Sequence, residues 1–244
     1  MKEEKVYLYG KHALREALET KPKAIQKVFL DKNAQSDTEL MRLIKQHNIS
    51  LSTMKDDGKK VTADAVHQGV IAQIDIAALY TSLDDAVSLI PEGVQPLFVL
   101  LDELHDPHNV GAIIRSAAAF GAHAIIIPEH NQSPITGTVI KTSAGMAFRI
   151  PIVRVGNVNQ TLRKLKDEHR CWTYGLVMDG DTPLHKAEFD TPTVIIVGNE
   201  SVGIREKTLT LCDVKLSIPM HPGCESLIAS VAASVVLYEY SRGR

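Results

Sequence analysis

Three segments of the chain carry polar residues that could take part in chemistry, and each of them follows an apolar run. They are residues 100–116, 194–204 and 216–233. Ligands of open α/β sheets bind at the carboxyl ends of the strands. We therefore expect these strand-to-loop transitions to form a ligand site.

The first segment predicts a strand that ends near Asp102, a polar loop, and a helix that Asn109 caps and that stops at Gly121. Arg115 is the only charged residue between positions 110 and 120. When composition is considered alone, a solvent-facing arginine on a surface helix is the simpler interpretation.

The second segment is a strand that runs into a turn bounded by glycines. Gly198 would let the backbone approach a ligand closely, and Glu200 stands at the predicted start of a helix, where the helix dipole favours a carboxylate. Helix capping alone explains Glu200 equally well. The spacing of Gly198 and Gly203 matches neither a dinucleotide-binding fingerprint nor a P-loop.

The third segment is a strand end, a loop and a helix rich in small residues. Small residues let a second backbone come close. By itself this pattern is better explained as a tightly packed C-terminal helix with Glu225 or Ser226 near its cap.

The apolar runs of the C-terminal part predict the elements that position these segments. Runs without polar alternation, separated mostly by helical patterns, are typical of a parallel sheet covered on both faces, so this part is predicted to be an α/β domain. The runs are 97–101, 124–127, 152–155, 172–177 and 194–197.

The N-terminal part predicts a smaller α/β unit. Its expected elements are a helix at 11–19, strands at 27–30, 49–51 and 70–74, a second helix capped by Asp37 or Thr38, and a turn at His67-Gln68-Gly69. Residues 76–95 combine a short helical pattern with Pro91 and Gly93, which is typical of a connector. We predict domains at 1–75 and 96–244, joined by this linker.

Composition limits the class of protein. The net charge of −2 argues against a uniformly basic surface that coats nucleic acid, so any RNA contact should be local. The three cysteines are far apart, which predicts neither disulfides nor a zinc site, and no metal is expected. No apolar run has the length of a bilayer span and no secretory signal is expected, so we predict a cytoplasmic protein.

Taken together and in this order, the three segments resemble the motifs of the SpoU class of knotted SPOUT RNA methyltransferases, which includes the TrmH and RlmB branches. The matching positions are Asn109, Gly111, Arg115, Gly198-Asn199-Glu200, Ile218-Pro219-Met220 and Ser226-Leu227. The N-terminal part is similar to the ribosomal-protein-like RNA-binding domain of the RlmB branch, at Tyr9-Gly10-Lys11-His12-Ala13 and at His67-Gln68-Gly69-Val70.

The resemblance implies a trefoil-knotted C-terminal α/β domain that binds S-adenosylmethionine. The implied reaction is methylation of a ribose 2′-hydroxyl of RNA, most closely a guanosine of 23S rRNA, either free or in an assembling large ribosomal subunit. A homodimer is implied as well. By matching positions, Gly198, Ile218 and Leu227 are the implied cofactor-binding residues.

The same resemblance implies four catalytic residues, Arg115, Asn109, Glu200 and Ser226. A guanidinium stays charged, so the preferred role of Arg115 is to stabilise the alkoxide or a neighbouring phosphate, and base catalysis is the less favoured alternative. Asn109 and Glu200 are expected to position Arg115 and the loop around the nucleotide. Ser226 is expected to add a hydroxyl.

Two other functions stay open. The substrate could be tRNA, or rRNA that a resistance-type enzyme modifies. The chain could also be a catalytically inactive RNA-binding or ribosome-assembly protein, because Ile228 stands where the family usually has Asn. That exchange removes a side chain that both donates and accepts hydrogen bonds. We expect Ile228 to face apolar neighbours in a disordered or displaced loop.

Overall fold

The computed structural model describes residues 6–54, 69–224 and 226–242. The chain forms two compact units: the first unit is Met1–Tyr80 with Ile135–Arg149, and the second unit is Thr81–Pro134 with Ile150–Arg244. The predicted turn residues His67 and Gln68 and the predicted cap Glu225 lie outside the described residues. The domain limits expected from the sequence stay a prediction.

The first unit is built on a four-stranded sheet with the order β1-β4-β2-β3, in which β4 runs antiparallel to β1 and β2 while β2 and β3 are parallel. Its elements up to residue 74 are β1 (Val6–Tyr9), α1 (Lys11–Thr20), β2 (Ile25–Leu30), α2 (Thr38–Gln46), β3 (Ser50–Thr53) and β4 (Val70–Ile74). The predicted helix at 11–19 and the predicted strands are confirmed.

The two helices of this unit follow from local sequence signals. The apolar residues of α1 recur at helical spacing and are all buried: Ala13, Leu14, Ala17 and Leu18. Asp37 is the N-cap of α2, and its carboxylate accepts a hydrogen bond from the backbone N–H of Leu40 at 3.2 Å. Of the two caps that the sequence allowed, Asp37 is therefore the one used.

Residues 135–149 belong to the first unit although they are far from it in sequence. They form α5 (Gly137–Thr142) and a 3₁₀ turn, Met146–Phe148, which contact β1 and α1. The approach at Gly137 is close: a Cβ there would lie 2.2 Å from the carbonyl oxygen of Tyr7. Arg149 forms ion pairs with Glu16 and Glu19. This segment is therefore a structural part of the first unit.

The second unit is built on a sheet with the order β10-β12-β9-β11-β6-β7-β8-β5, and the pairings among β6 to β12 are parallel. Its strands are β5 (Tyr80–Thr81), β6 (Leu97–Asp102), β7 (Ala124–Pro128), β8 (Ile152–Val155), β9 (Trp172–Leu176), β10 (Thr182–Pro183), β11 (Thr193–Gly198) and β12 (Val214–Ser217). Its helices are α3 (Leu83–Ser88), α4 (Pro107–Ala119), α6 (Val158–His169), α7 (Glu206–Leu209) and α8 (Ala229–Arg242).

The sheet of the second unit is covered on both faces. All six residues of β6 are buried, and alternate residues of a strand point to opposite faces. On one face, Phe98 and Leu100 pack in a cluster with Leu162 and Leu165 of α6. Helices α4 and α8 pack against each other, and α8 contacts β11. The predicted α/β class and all five predicted apolar strands are confirmed.

Within the described ranges, no helix combines the length and the apolar character that a membrane span needs. The same ranges hold no cluster of three or more His, Cys, Asp or Glu side chains arranged for a metal ion. The three cysteines are free thiols, and burial raises the pKa of Cys171 and of Cys212 to about 12.

Candidate active site

The ends of β6 and β11 bring the first two polar segments together. These strands are parallel neighbours, and Gly198 at the end of β11 is paired with Asp102 at the end of β6. The loops that follow both strands therefore leave the sheet at the same edge. Strand order, which no local pattern shows, places these two motifs beside each other.

Helix α4 begins in this region with Asp106 as its N-cap and Pro107 in its first turn, and the Asp106 carboxylate accepts from the N–H of His108 at 2.8 Å. The prediction that Asn109 caps this helix is wrong. Asn109 lies inside the first turn and is buried. It does not cap the helix because its side chain forms hydrogen bonds with Glu200 and Ser230. Gly121, which follows the helix with φ of 79°, ends it as predicted.

Glu200 holds the start of α4 from the neighbouring loop. Its carboxylate accepts hydrogen bonds from the backbone N–H groups of His105 and Asp106 and from the side-chain amide of Asn109, each at 3.2 Å. Partial burial opposes ionisation of Glu200, but these bonds and one from its own backbone outweigh it, so the pKa of this carboxyl lies below its ordinary value. Glu200 thus acts on the N-terminus of α4 and not on that of its own following helix.

Asn109 connects this pair to the C-terminal helix. Its side-chain oxygen accepts a hydrogen bond from the hydroxyl of Ser230 in α8 at 2.8 Å. One turn further along α8, the hydroxyl of Ser234 lies 2.7 Å from the hydroxyl of Ser116 in α4. Ser230 is buried and was not predicted as a site residue; four residues after Ser226, it is the serine of this motif that reaches Asn109.

Arg115 projects from α4 into solvent. It forms no hydrogen bond or ion pair with any residue that the structure describes, and it is exposed. No direct contact joins it to Asn109 or Glu200. These two residues instead fix the first turn of the helix that carries Arg115.

The three predicted cofactor-binding residues lie at or beyond strand ends. Gly198 closes β11, and a Cβ there would lie 2.3 Å from backbone atoms of Gly203 and Ile204, so only glycine fits this tight turn. Ile218 follows β12 and is half-buried, and Leu227 is 36% exposed.

Ser226 is exposed, and its hydroxyl has no hydrogen bond to the described part of the chain. The structure does not bring Ser226 to the Asn109–Glu200 pair. Ile228 was expected to face apolar neighbours. In the single chain its side chain is 65% exposed, so that expectation is wrong.

A second polar cluster at this edge was missed. Asp102 is fully buried and is bound by Arg205, which follows the 198–204 turn. The available signal was a carboxylate at the end of an otherwise apolar strand, since a buried charge requires a partner. The sequence did not show which of its basic residues would be that partner.

The fold and the site define a class: a parallel α/β unit with a polar centre at its strand ends, preceded in the chain by a small α/β unit. A family model described as the SpoU rRNA methylase family matches residues 96–238, and one described as RNA 2′-O ribose methyltransferase substrate binding matches residues 7–79. The chain belongs to the SpoU rRNA methylase family.

Relatives of known name match nearly the whole chain. Proteins named 23S rRNA (guanosine-2′-O-)-methyltransferase RlmB from Neisseria meningitidis and Escherichia coli are each 34% identical over 97% of this chain, and the matches cover 95% and 98% of those proteins. Among solved structures, the SpoU methyltransferase AviRb from Streptomyces viridochromogenes in complex with AdoMet is 27% identical with a TM-score of 0.83, covering 98% of this chain and 90% of that one.

Proposed function

We propose that this protein transfers a methyl group from S-adenosylmethionine to a ribose 2′-hydroxyl of RNA, and that its substrate is a guanosine of 23S rRNA in the cytoplasm. The observation that carries the proposal is 34% identity, over 97% of the chain, to proteins named for that reaction. The substrate-binding match at 7–79 supports RNA contact through the first unit.

The residues assigned to the cofactor suit its chemistry. S-adenosylmethionine supplies an electrophilic methyl group on a sulfonium, and such a ligand needs apolar walls with a few backbone hydrogen bonds. Gly198, Ile218 and Leu227 offer backbone groups and apolar surface, and Ile218 and Leu227 are only partly buried. In this proposal the loop after β12 and α8 form the trefoil knot of the family around that ligand.

The polar centre would act on the ribose. A hydroxyl is a poor nucleophile until its proton leaves or its developing charge is stabilised. Arg115 has an exposed guanidinium with no partner among the described residues, so it can contact an RNA phosphate or the forming alkoxide. Asn109 and Glu200 hold the first turn of the helix that carries it. In this proposal the exposed hydroxyl of Ser226 contributes a hydrogen bond to the nucleotide.

Helix α8 supports a homodimer. Its outward side presents Val231, Val235 and Tyr238, which are 41%, 37% and 56% exposed and lie at helical spacing. Leu227 and Ile228 extend this apolar side into the preceding loop. An exposed apolar stripe of this kind is typical of a protein interface, and we propose that a second copy of the chain covers it.

Methyl transfer from labelled S-adenosylmethionine to 23S rRNA, followed by nucleoside analysis, tests the function. We expect label in 2′-O-methylguanosine. Label in a 2′-O-methylated nucleoside of tRNA, or in a different 2′-O-methylated nucleoside of rRNA, would reject the proposed substrate and keep the reaction. RNA binding without any transfer to rRNA, precursor particles or tRNA would instead favour an inactive RNA-binding protein.

A further inference from the structure

An arginine and a buried carboxylate tie the turn after β11 to the end of β6. Asp102 is fully buried, and one of its oxygens accepts hydrogen bonds from Nε and Nη2 of Arg205 at 2.9 and 2.5 Å. Its other oxygen accepts from the backbone N–H of Arg205 at 2.9 Å. The Nη1 of Arg205 donates to Glu103 at 2.7 Å. Charge-assisted bonds of this multiplicity fix geometry as well as charge.

The other end of the same turn is also anchored to the end of β6. The side-chain amide of Asn199 donates to the carbonyl oxygen of Glu103 at 2.7 Å, and its oxygen accepts from the N–H of Ser201 at 2.9 Å. Glu103 has a φ of 64°, a left-handed conformation that is costly for a residue with a Cβ. Glu200 lies between the two anchors, so both of them determine where its carboxylate meets α4.

We propose that Arg205 is a positioning residue for methyl transfer: by holding Asp102 and Glu103, it keeps the 199–205 turn in the place where Glu200 binds the first turn of α4. This inference rests on the function proposed above. Arg205 touches neither the RNA nor the cofactor in this role. It acts through Glu200 on the helix that presents Arg115.

The chemistry of the pair explains why arginine is required. Burial opposes the charge of Arg205, but hydrogen bonds and attraction from Asp102, with attraction from Glu103, outweigh it and raise the pKa of the guanidinium. A lysine would keep the charge, but its single ammonium cannot reproduce the fork that binds Asp102 and Glu103 together. Removal of the charge would leave Asp102 buried without its cation, which threatens folding.

The test therefore uses Arg205→Lys in the full chain, with Lys166→Met as the matched control. Lys166 forms another hydrogen-bonded ion pair in the second unit, with Asp213 at 2.6 Å, but Asp213 precedes β12 and so lies at the opposite, amino end of the strands. We expect Arg205→Lys to lower kcat about 10- to 100-fold, with the KM for RNA within about twofold of wild type. Lys166→Met should lower Tm and keep kcat.

A second measurement, amide hydrogen exchange, does not depend on activity. The N–H groups of His105 and Asp106 bind Glu200, so they should exchange faster in Arg205→Lys and at the wild-type rate in Lys166→Met. Unchanged exchange with unchanged kcat would overturn the inference, as would equal losses of kcat in both variants. If wild type itself transferred no methyl group, the proposed function would fail, while the exchange rates would still decide whether Arg205 holds Glu200.

Discussion

The side-chain amide of Asn109 donates to the carboxylate of Glu200 at 3.2 Å, across 91 positions of the chain. The side-chain oxygen of Asn109 accepts from the hydroxyl of Ser230, so a single buried side chain of α4 joins the turn after β11 to α8. Each of the three polar segments is represented in this contact. Asn109 therefore links the three segments through hydrogen bonds of its side chain.

Replacement of Asn109 should damage the site and the fold together. Asn109→Ala removes both bonds and leaves the Ser230 hydroxyl and a Glu200 oxygen without this partner, at a cost of about 1–3 kcal/mol in the free energy of unfolding. Urea denaturation measures that cost. Ser116→Ala is the matched control, since it removes a hydroxyl contact of the same helix pair without touching Glu200. Equal, small effects in both variants would contradict this prediction.

Glu200 should make stability depend on pH in the acidic range. Its folded-state pKa lies below the ordinary value of 4.5, so the stability it contributes is fully present above that value and is lost as the pH falls through the folded pKa. We expect the stability difference between wild type and Glu200→Gln to be constant near neutral pH and to shrink below 4.5. Urea denaturation of both proteins at several pH values provides the comparison. A difference that widens on acidification would be inconsistent with the sign of this shift.

Arg115→Ala should remove methyl transfer and leave the protein otherwise intact. Because Arg115 is exposed and has no described partner, the change in stability should stay within about 0.5 kcal/mol. The rate should fall about 100-fold or more if the guanidinium stabilises developing charge. Single-turnover methylation measures the rate, and urea denaturation measures the change in stability. Arg163→Ala, an exposed arginine of α6, is the control, and near wild-type turnover in Arg115→Ala would remove this residue from the mechanism.

Deletion of residues 1–80 should destabilise the remainder of the chain. Sequence alone suggests that the C-terminal part folds without the N-terminal part. The structure assigns residues 135–149 to the first unit, where Val139, Ile140 and Phe148 are buried, and the deletion would uncover them. We expect a lower Tm and binding of a hydrophobic dye. A truncated chain with an unchanged Tm and no dye binding would show that this segment repacks.

Val235→Glu should yield monomers if α8 forms the dimer interface. A charge placed in the middle of the exposed stripe would be desolvated on association and would oppose it. Sedimentation velocity of the variant and of wild type decides the matter. Leu89→Glu, which changes an exposed apolar residue outside α8, should leave the oligomeric state unchanged. A wild-type monomer would refute the proposed dimer.

The sequence by itself determined the class of fold and the strands that carry the site. Strands buried on both faces must be apolar at every position, so β6 and β11 were visible as uninterrupted runs, and α1 was visible from its helical spacing. The residues of the first two motifs could also be located, because both motifs follow the end of such a run. These are local signals, and local sequence is sufficient to specify them.

Only the tertiary structure decided which of these residues meet. Asn109 looked like a helix cap and is a buried link, Ser230 takes the contact with Asn109, and Arg205 is the partner of Asp102 across 103 positions of the chain. A hydrogen bond between such distant residues exists only once strand order has placed β11 beside β6 and α8 against α4. That order depends on how the whole sheet and its helices bury apolar surface together, which no segment encodes alone.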